Sequence, residues 1–262
     1  MNTQRRDPSL SSRQRREQQF HDASAGLSDP HRLRPRAPDW WAREFESAVL
    51  ERVGPLAGAR VLELGCGDGE LTLRLAESGA AHVTAIDVSP AMVALAEGRM
   101  KLYRPGAPVD FAAVPAEDTA LLESSFDVAV GKWILHHVEL EPGLAELHRV
   151  LRPGGRGVFI ETSAFNPLLV LARRFAAGRV GTRRYGTSDE RPLTRRDIRL
   201  MRRTFRDVSV DFPNFWLTVL VPRALDYRFP RLNDACEYID DLLARRSRLG
   251  WLSYYLRVAV MK

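Results

Sequence analysis

Glycines at 65, 67 and 69, carboxylates at 63, 68, 70 and 87, and a histidine pair at 136 and 137 are the residues whose types and spacing can do chemistry. Gly65, Gly67 and Gly69 follow the branched apolar run Val61–Leu64 and precede the helically spaced Leu71–Ala76. That order reads as a strand, a tight turn and a helix. Glycine at alternate positions lets the backbone take positive φ and approach a ligand with no Cβ in the way. Glu63 lies two residues before the first glycine, so a ligand resting on this turn is expected to be positively charged. His136 and His137 offer imidazoles that can take a proton near neutral pH, the property a general base needs. The plainer alternative for the pair is structural, with one or both rings hydrogen-bonded at the start of a helix.

These residues need elements to hold them. Val61–Leu64, His82–Asp87, Val109–Val114, Phe126–Gly131 and Gly157–Glu161 read as strands, and helical patterns fall at Glu70–Ser78, from Ser89-Pro90 onward, and at Pro142–Leu151. Ser89 is an N-cap with proline in the first turn behind it. Strands separated by helices imply an α/β fold with a parallel sheet covered on both faces. In such sheets ligands bind beyond the carboxyl ends of the strands, where Glu63–Gly69, Asp87, Gly131–His137 and Glu161 all fall. Further on, Thr194 and Asp197 form a capping box opening a helix through Phe205. Val208–Phe212 and Tyr254–Met261 read as sixth and seventh strands.

The flanking segments set the domain organisation. Residues 1–37 are an N-terminal tail, polar at its start, followed by a helix-compatible stretch from Ser12 to Gly26 that is either a lid over a site or an unattached segment. Residues 38–262 form the main domain, with a ligand-binding core at 60–162 and substrate-side insertions at 163–192 and 213–250. In the 38–53 helix Trp41, Phe45, Ala48 and Val49 are expected to pack into the core. The aromatics of 213–250, among them Phe215, Trp216, Tyr227 and Phe229, suit a lid over an apolar small molecule, a packing layer, or a homodimer contact. Arg173, Arg174, Arg183, Arg184 and Tyr185 suit either an acidic group on a substrate or a solvated face.

Composition narrows the classes. Two cysteines, Cys66 and Cys236, are too few for a disulfide framework and imply neither zinc nor iron, so a reducing, cytoplasmic setting is expected. No stretch approaches the roughly 20 apolar residues of a membrane span. The net charge of +6 raises nucleic acid as a partner. Lysine occurs only at 101, 132 and 262, however, and so strong a bias towards arginine is as expected from codon composition as from a phosphate-binding face, so nucleic acid is not the expected partner.

Two ligand classes rest on a glycine turn after the first strand. A dinucleotide needs Gly-x-Gly-x-x-Gly with its pyrophosphate at the helix N-terminus, but the third glycine position here is Glu70, and its carboxylate repels phosphate, as do those of Asp68 and Glu63. S-adenosylmethionine has no phosphate and carries a sulfonium and an ammonium, which suit these carboxylates. Asp87 can accept hydrogen bonds from both ribose hydroxyls of either ligand, or cap the following helix.

Val61–Gly69, Ala85–Ser89, Ser125–Val128, Leu135–Val138 and Arg149–Gly155 together resemble the successive motifs of class I S-adenosylmethionine-dependent methyltransferases. They are most similar to the branch holding the ubiquinone and menaquinone biosynthesis enzymes. The resemblance covers about Arg60 to Thr162. It implies a Rossmann-like, seven-stranded, mostly parallel sheet with helices on both faces and strand 7 antiparallel. It further implies that Glu63, Gly65, Cys66 and Gly67 line the methionine end, that Asp87 binds ribose and that Val88 and Met92 flank the adenine. Ala116 and Glu117 then meet the adenine edge, Pro115 standing where the family usually has Asp, and the backbone near Gly131 and Lys132 faces the methionine. Of the two histidines, His137 is preferred over His136 as the catalytic base on the family pattern. The expected activity is methyl transfer to an O, N or C nucleophile of a small molecule in biosynthetic or secondary metabolism. The alternatives are an RNA or protein methyltransferase and a catalytically silent partner subunit.

Overall fold

Strand β1 (Arg60–Leu64) is buried along its whole length after Arg60, because helices cover both faces of the sheet it centres. The computed structural model describes residues 10–26, 39–167, 191–212 and 250–262, with a few positions between 170 and 239. The tail 1–9, the side chain of Trp41, the residues Arg173, Arg174, Arg183, Arg184 and Tyr185, and most of the 213–250 insertion lie outside the described residues.

Around β1 the chain lays down α1 (Ser12–Ala25), α2 (Asp39–Val53), α3 (Glu70–Glu77), β2 (His82–Asp87), α4 (Pro90–Tyr103), β3 (Val109–Ala113), β4 (Phe126–Lys132), α5 (Leu140–Val150) and β5 (Leu151–Thr162). Then come α6 (Arg195–Thr204), β6 (Asp207–Asp211), a 3₁₀ turn (Gly250–Leu252) and β7 (Tyr255–Met261). The strand order is β3-β2-β1-β4-β5-β7-β6, with β7 antiparallel to both its neighbours and the other strands parallel to one another. This is the expected seven-stranded Rossmann-like sheet. Its fifth strand begins six residues earlier than the sequence pattern indicates, because the Arg152-Pro153-Gly154-Gly155 turn is absorbed as an irregularity in the pairing with β4.

Register decides what meets at the site. Leu64 lies opposite Ile86 on one side and Gly131 on the other, and Lys132 lies opposite Ile160. The residues just past these positions, Gly65–Gly67, Asp87, Lys132–Trp133 and Glu161, therefore share one edge. The sequence order reverses direction between β1 and β4, which makes this edge the switch point where open α/β sheets bind ligands.

Alternate residues of the strands feed two large cores, and Ala85 of β2 joins a smaller third cluster with Cys66, Val93 and Ala96. Leu62, Leu64 and Ile86 pack with Leu144, Leu147, Ile198 and Met201, from α5 and α6. Val61, Val83, Val128 and Val130 pack with Phe45, Val49 and Leu75, from α2 and α3, as expected for Phe45 and Val49. The Thr194–Asp197 capping box forms with both reciprocal bonds, and Arg191 clamps the Asp197 carboxylate at 2.7 and 2.9 Å. Among the described residues no helix is long and apolar enough to cross a membrane.

Candidate active site

At the switch point lies a cavity of about 420 Å³, within the about 300–1,000 Å³ typical of small-molecule sites. Its floor is the β1–α3 turn. Gly65, Gly67 and Gly69 have φ of +67°, +51° and +83°, so all three use the left-handed region that disfavours other residues. Their surroundings differ. A Cβ on Gly65 would come within 2.8 Å of Ile134 and one on Gly69 within 2.9 Å of Ala96, whereas one on Gly67 would meet nothing within 4 Å. The outer glycines permit packing, and the middle one leaves room for a ligand against the backbone. Arg99 of α4, fully buried, fixes the turn by bonding the Asp68 carbonyl oxygen at 2.7 Å and its carboxylate at 2.8 Å. Asp68 thus lines the cavity with its carboxylate already paired to Arg99.

Glu63 is 1% exposed and accepts a 2.6 Å hydrogen bond from the Thr72 hydroxyl. Burial pushes its carboxyl up to about 8, against the opposing pull of the Thr72 bond and of nearby Lys132. Lys132 is engaged elsewhere: its ammonium lies 3.0 Å from Glu46 of α2. The floor therefore holds a mostly protonated carboxyl at neutral pH, and an incoming ammonium would favour its ionised form. Asp87 accepts from the Gly67 N–H at 3.0 Å and the Ser89 N–H at 2.9 Å, one bond to each carboxylate oxygen. Both proposed uses are compatible, since each oxygen has a second lone pair for a ribose hydroxyl. Cys66, Val88, Met92, Pro115, Ala116 and Glu117 line the same cavity. Glu117 accepts from the Glu139 N–H at 2.8 Å and from the Gln14 side-chain amide at 3.1 Å.

The two histidines are placed differently. His137 lines the cavity, and His136 is not among its lining residues. The Nδ1 of His136 lies 2.6 Å from Glu161, whose other oxygen accepts from the Ile134 and Leu135 N–H groups at 2.9 and 2.7 Å. Glu161 is fully buried and so holds residues 134–136 of the loop after β4, while Trp133, at φ +57°, donates its N–H to the Ile160 carbonyl oxygen. His136 anchors that loop. The Nδ1 of His137 instead lies 2.9 Å from Glu17 of α1.

α1 closes the cavity and supplies three lining residues that the sequence reading did not name, Gln14, Glu17 and His21. Its attachments span the site. Arg13 donates to the His136 carbonyl oxygen at 3.1 Å, Gln18 to that of Val88 at 3.3 Å, and Asp22 accepts from the Ser89 hydroxyl and the Ala91 N–H. A Ser11–Gln14 capping box opens the helix; Ser-x-x-Gln is a readable start signal, but nothing in spacing indicates which partner lies some 100 residues away.

A family model described as a methyltransferase domain matches residues 61–155. The ubiquinone biosynthesis O-methyltransferase of Pseudomonas aeruginosa (strain UCBPP-PA14) is 36% identical over 142 residues, covering 49% of this chain and 59% of that one. The demethylmenaquinone methyltransferase of Clavibacter sepedonicus is 41% identical over 128 residues, covering 48% and 50%. The chain thus spans little more than half the length of the curated relatives it matches. Among solved structures, the [4+2]-cyclase SpnF superposes with a TM-score of 0.61 at 21% identity, covering 97% of both chains, a likeness of fold. The glycine turn, Asp87 and the histidine loop all fall inside the segment that the methyltransferase-domain model matches.

Proposed function

We propose that the chain is an S-adenosylmethionine-dependent methyltransferase acting on a small molecule, with a hydroxyl as the favoured acceptor. The observation that carries this reading is the cavity floor: an open Gly67 backbone beside the buried carboxyl of Glu63 and the edge carboxylate of Asp87. That donor set suits an ammonium and a ribose and opposes a pyrophosphate. When bound, S-adenosylmethionine supplies a methyl group already activated on a sulfonium. The chain's own task is then orientation, which can contribute about 7–11 kcal/mol to lowering the barrier.

Residues divide that task. Gly65–Gly67 and Glu63 hold the amino-acid end, Asp87 the ribose, and Val88, Met92, Ala116 and Glu117 the adenine. Glu17 accepts the Nδ1 proton of His137 and leaves Nε2 as the basic ring nitrogen, able to take the proton of an acceptor hydroxyl. Glu17 is a positioning residue in this scheme. α1 acts as a lid, since it brings Gln14, Glu17 and His21 to the cavity and carries bonds to three separate parts of its rim, the loop after β4, Glu117 and the segment from Val88 to Ala91. The O-methyltransferase name of the Pseudomonas relative supports a hydroxyl acceptor. The free cysteines Cys66 and Cys236 support a cytoplasmic setting.

Calorimetric titration with S-adenosylhomocysteine and with NAD tests the cofactor. Saturable binding of the first and none of the second is expected; the reverse would overturn the reading. Incubation with S-adenosylmethionine and a metabolite extract, followed by mass spectrometry, should then reveal a product heavier by one methylene. The cyclase that shares the fold shows why turnover needs its own measurement.

A further inference from the structure

Glu17, His21 and His137 converge at the junction of α1 and the loop after β4. Glu17 and His21 are four residues apart on one helix and so share a face. The Oε2 of Glu17 lies 2.9 Å from His137 Nδ1 and 3.9 Å from His21 Nε2, and one ligand atom from each of the three residues lies within 4.8 Å of the others. The His21 and His137 rings meet edge to face with centroids 5.2 Å apart. All three residues line the cavity, and the Glu17 carboxylate is almost fully buried.

We propose that these three residues form a binding site for a divalent transition-metal cation, with its open coordination positions facing the cavity. Two imidazole nitrogens and one carboxylate oxygen are a donor set for zinc, iron(II), cobalt(II) or manganese(II). Neither cysteine takes part. Ligand atoms at about 2.0–2.2 Å from a metal lie roughly 3–3.5 Å from one another. The Glu17–His137 separation of 2.9 Å is already close to this, and His21, at 3.9 Å from Glu17, must swing inward to join. The cation would take the His137 Nδ1 that faces Glu17 and leave the ring proton on Nε2, so in the metal-loaded protein the acceptor hydroxyl would lose its proton through metal coordination rather than to Nε2. Three protein ligands leave at least one position for an oxygen of the acceptor. That last use rests on the methyltransferase reading, whereas the metal site itself does not. Because two ligands come from α1 and one from the loop, the cation would also tie the helix down over the cavity.

The test uses the full chain stripped with a chelator and titrated with cobalt(II), followed by visible absorption, and with zinc by calorimetry. One equivalent is expected to bind with micromolar or tighter affinity, with a cobalt spectrum unlike that of the hydrated ion. His21→Ala and Glu17→Gln, checked for folding by circular dichroism, are each expected to weaken binding at least tenfold. Zinc should raise the melting temperature of the wild type and not that of His21→Ala. No saturable binding below millimolar metal, or equal binding by wild type and both variants, overturns the proposal. None of these readouts uses S-adenosylmethionine, so loss of the cofactor reading would show separately, as an absence of S-adenosylhomocysteine binding to metal-loaded and metal-free protein alike.

Discussion

The floor of the cavity and the wall opposite it are built in different ways. The floor is backbone: three left-handed glycines, two strand ends set side by side by register, and one buried arginine pinning the turn. The wall is side chain: Gln14, Glu17 and His21 of α1 reaching Glu117 and His137 more than 100 residues away. A backbone floor recognises what a whole class of ligands has in common. A side-chain wall can be rewritten residue by residue while the floor stays.

Substitutions can break that contrast. His137→Gln is expected to have the largest effect, lowering kcat by about 10²–10⁴-fold, the usual scale of general-base catalysis, while S-adenosylhomocysteine affinity stays within about threefold. Equal losses in both would move His137 from wall to floor. Gly67→Val should do the opposite. Its side chain enters the cavity from a backbone at φ +51°, and calorimetry should show cofactor affinity down by about two orders of magnitude or more, on the scale of steric exclusion plus backbone strain.

A subtler test separates charge from shape in the floor. The Glu63 carboxyl is raised to about 8 by burial, so the folded, ligand-free protein holds a proton that the unfolded chain releases above its ordinary value of about 4.5. Its contribution to stability is full below that value and is lost as pH rises through about 8. A cationic ligand reverses the preference, so binding at pH 7 should release a proton and tighten as pH rises toward 8. Calorimetry in buffers of different ionisation enthalpy reads the proton, and Glu63→Gln should abolish both the release and this part of the stability profile. The smallest effect is expected from Gln14→Ala. The change removes a part-buried, water-replaceable bond to the Glu117 carboxylate and half of the Ser11 capping box; only the first reaches the cavity, and at about 0.5–1.5 kcal/mol net cofactor affinity should fall about tenfold or less in the same titration.

The same contrast decides what was legible in the sequence. The glycine turn, Asp87 and Glu63 could be read because they sit within a few residues of recognisable strand ends, and parallel register then brings those ends together whatever the details. All of the expected cofactor residues do line one cavity. Arg99 and Glu161 were not legible as supports, since a buried charge in a helix or at a strand end gives no sign in sequence of the partner that satisfies it. Nor was the pairing of Asp68 with Arg99, which partly neutralises one of the carboxylates at the cavity. The division of labour between His136 and His137 depends on which neighbour each ring finds, Glu161 or Glu17. The second of those lies 120 residues upstream, beyond any local pattern.

α1 buries only Glu17 and Ala25, so among the described residues hardly any apolar surface fastens it. Its hold is a set of hydrogen bonds that water can replace one for one, each at little net free energy. A helix held in this way can lift without disturbing either sheet core. The time a product spends in the cavity would then be set by rehydration of a polar seam rather than by the stability of the fold, and α1 amides should exchange with solvent long before those of β1 and β4.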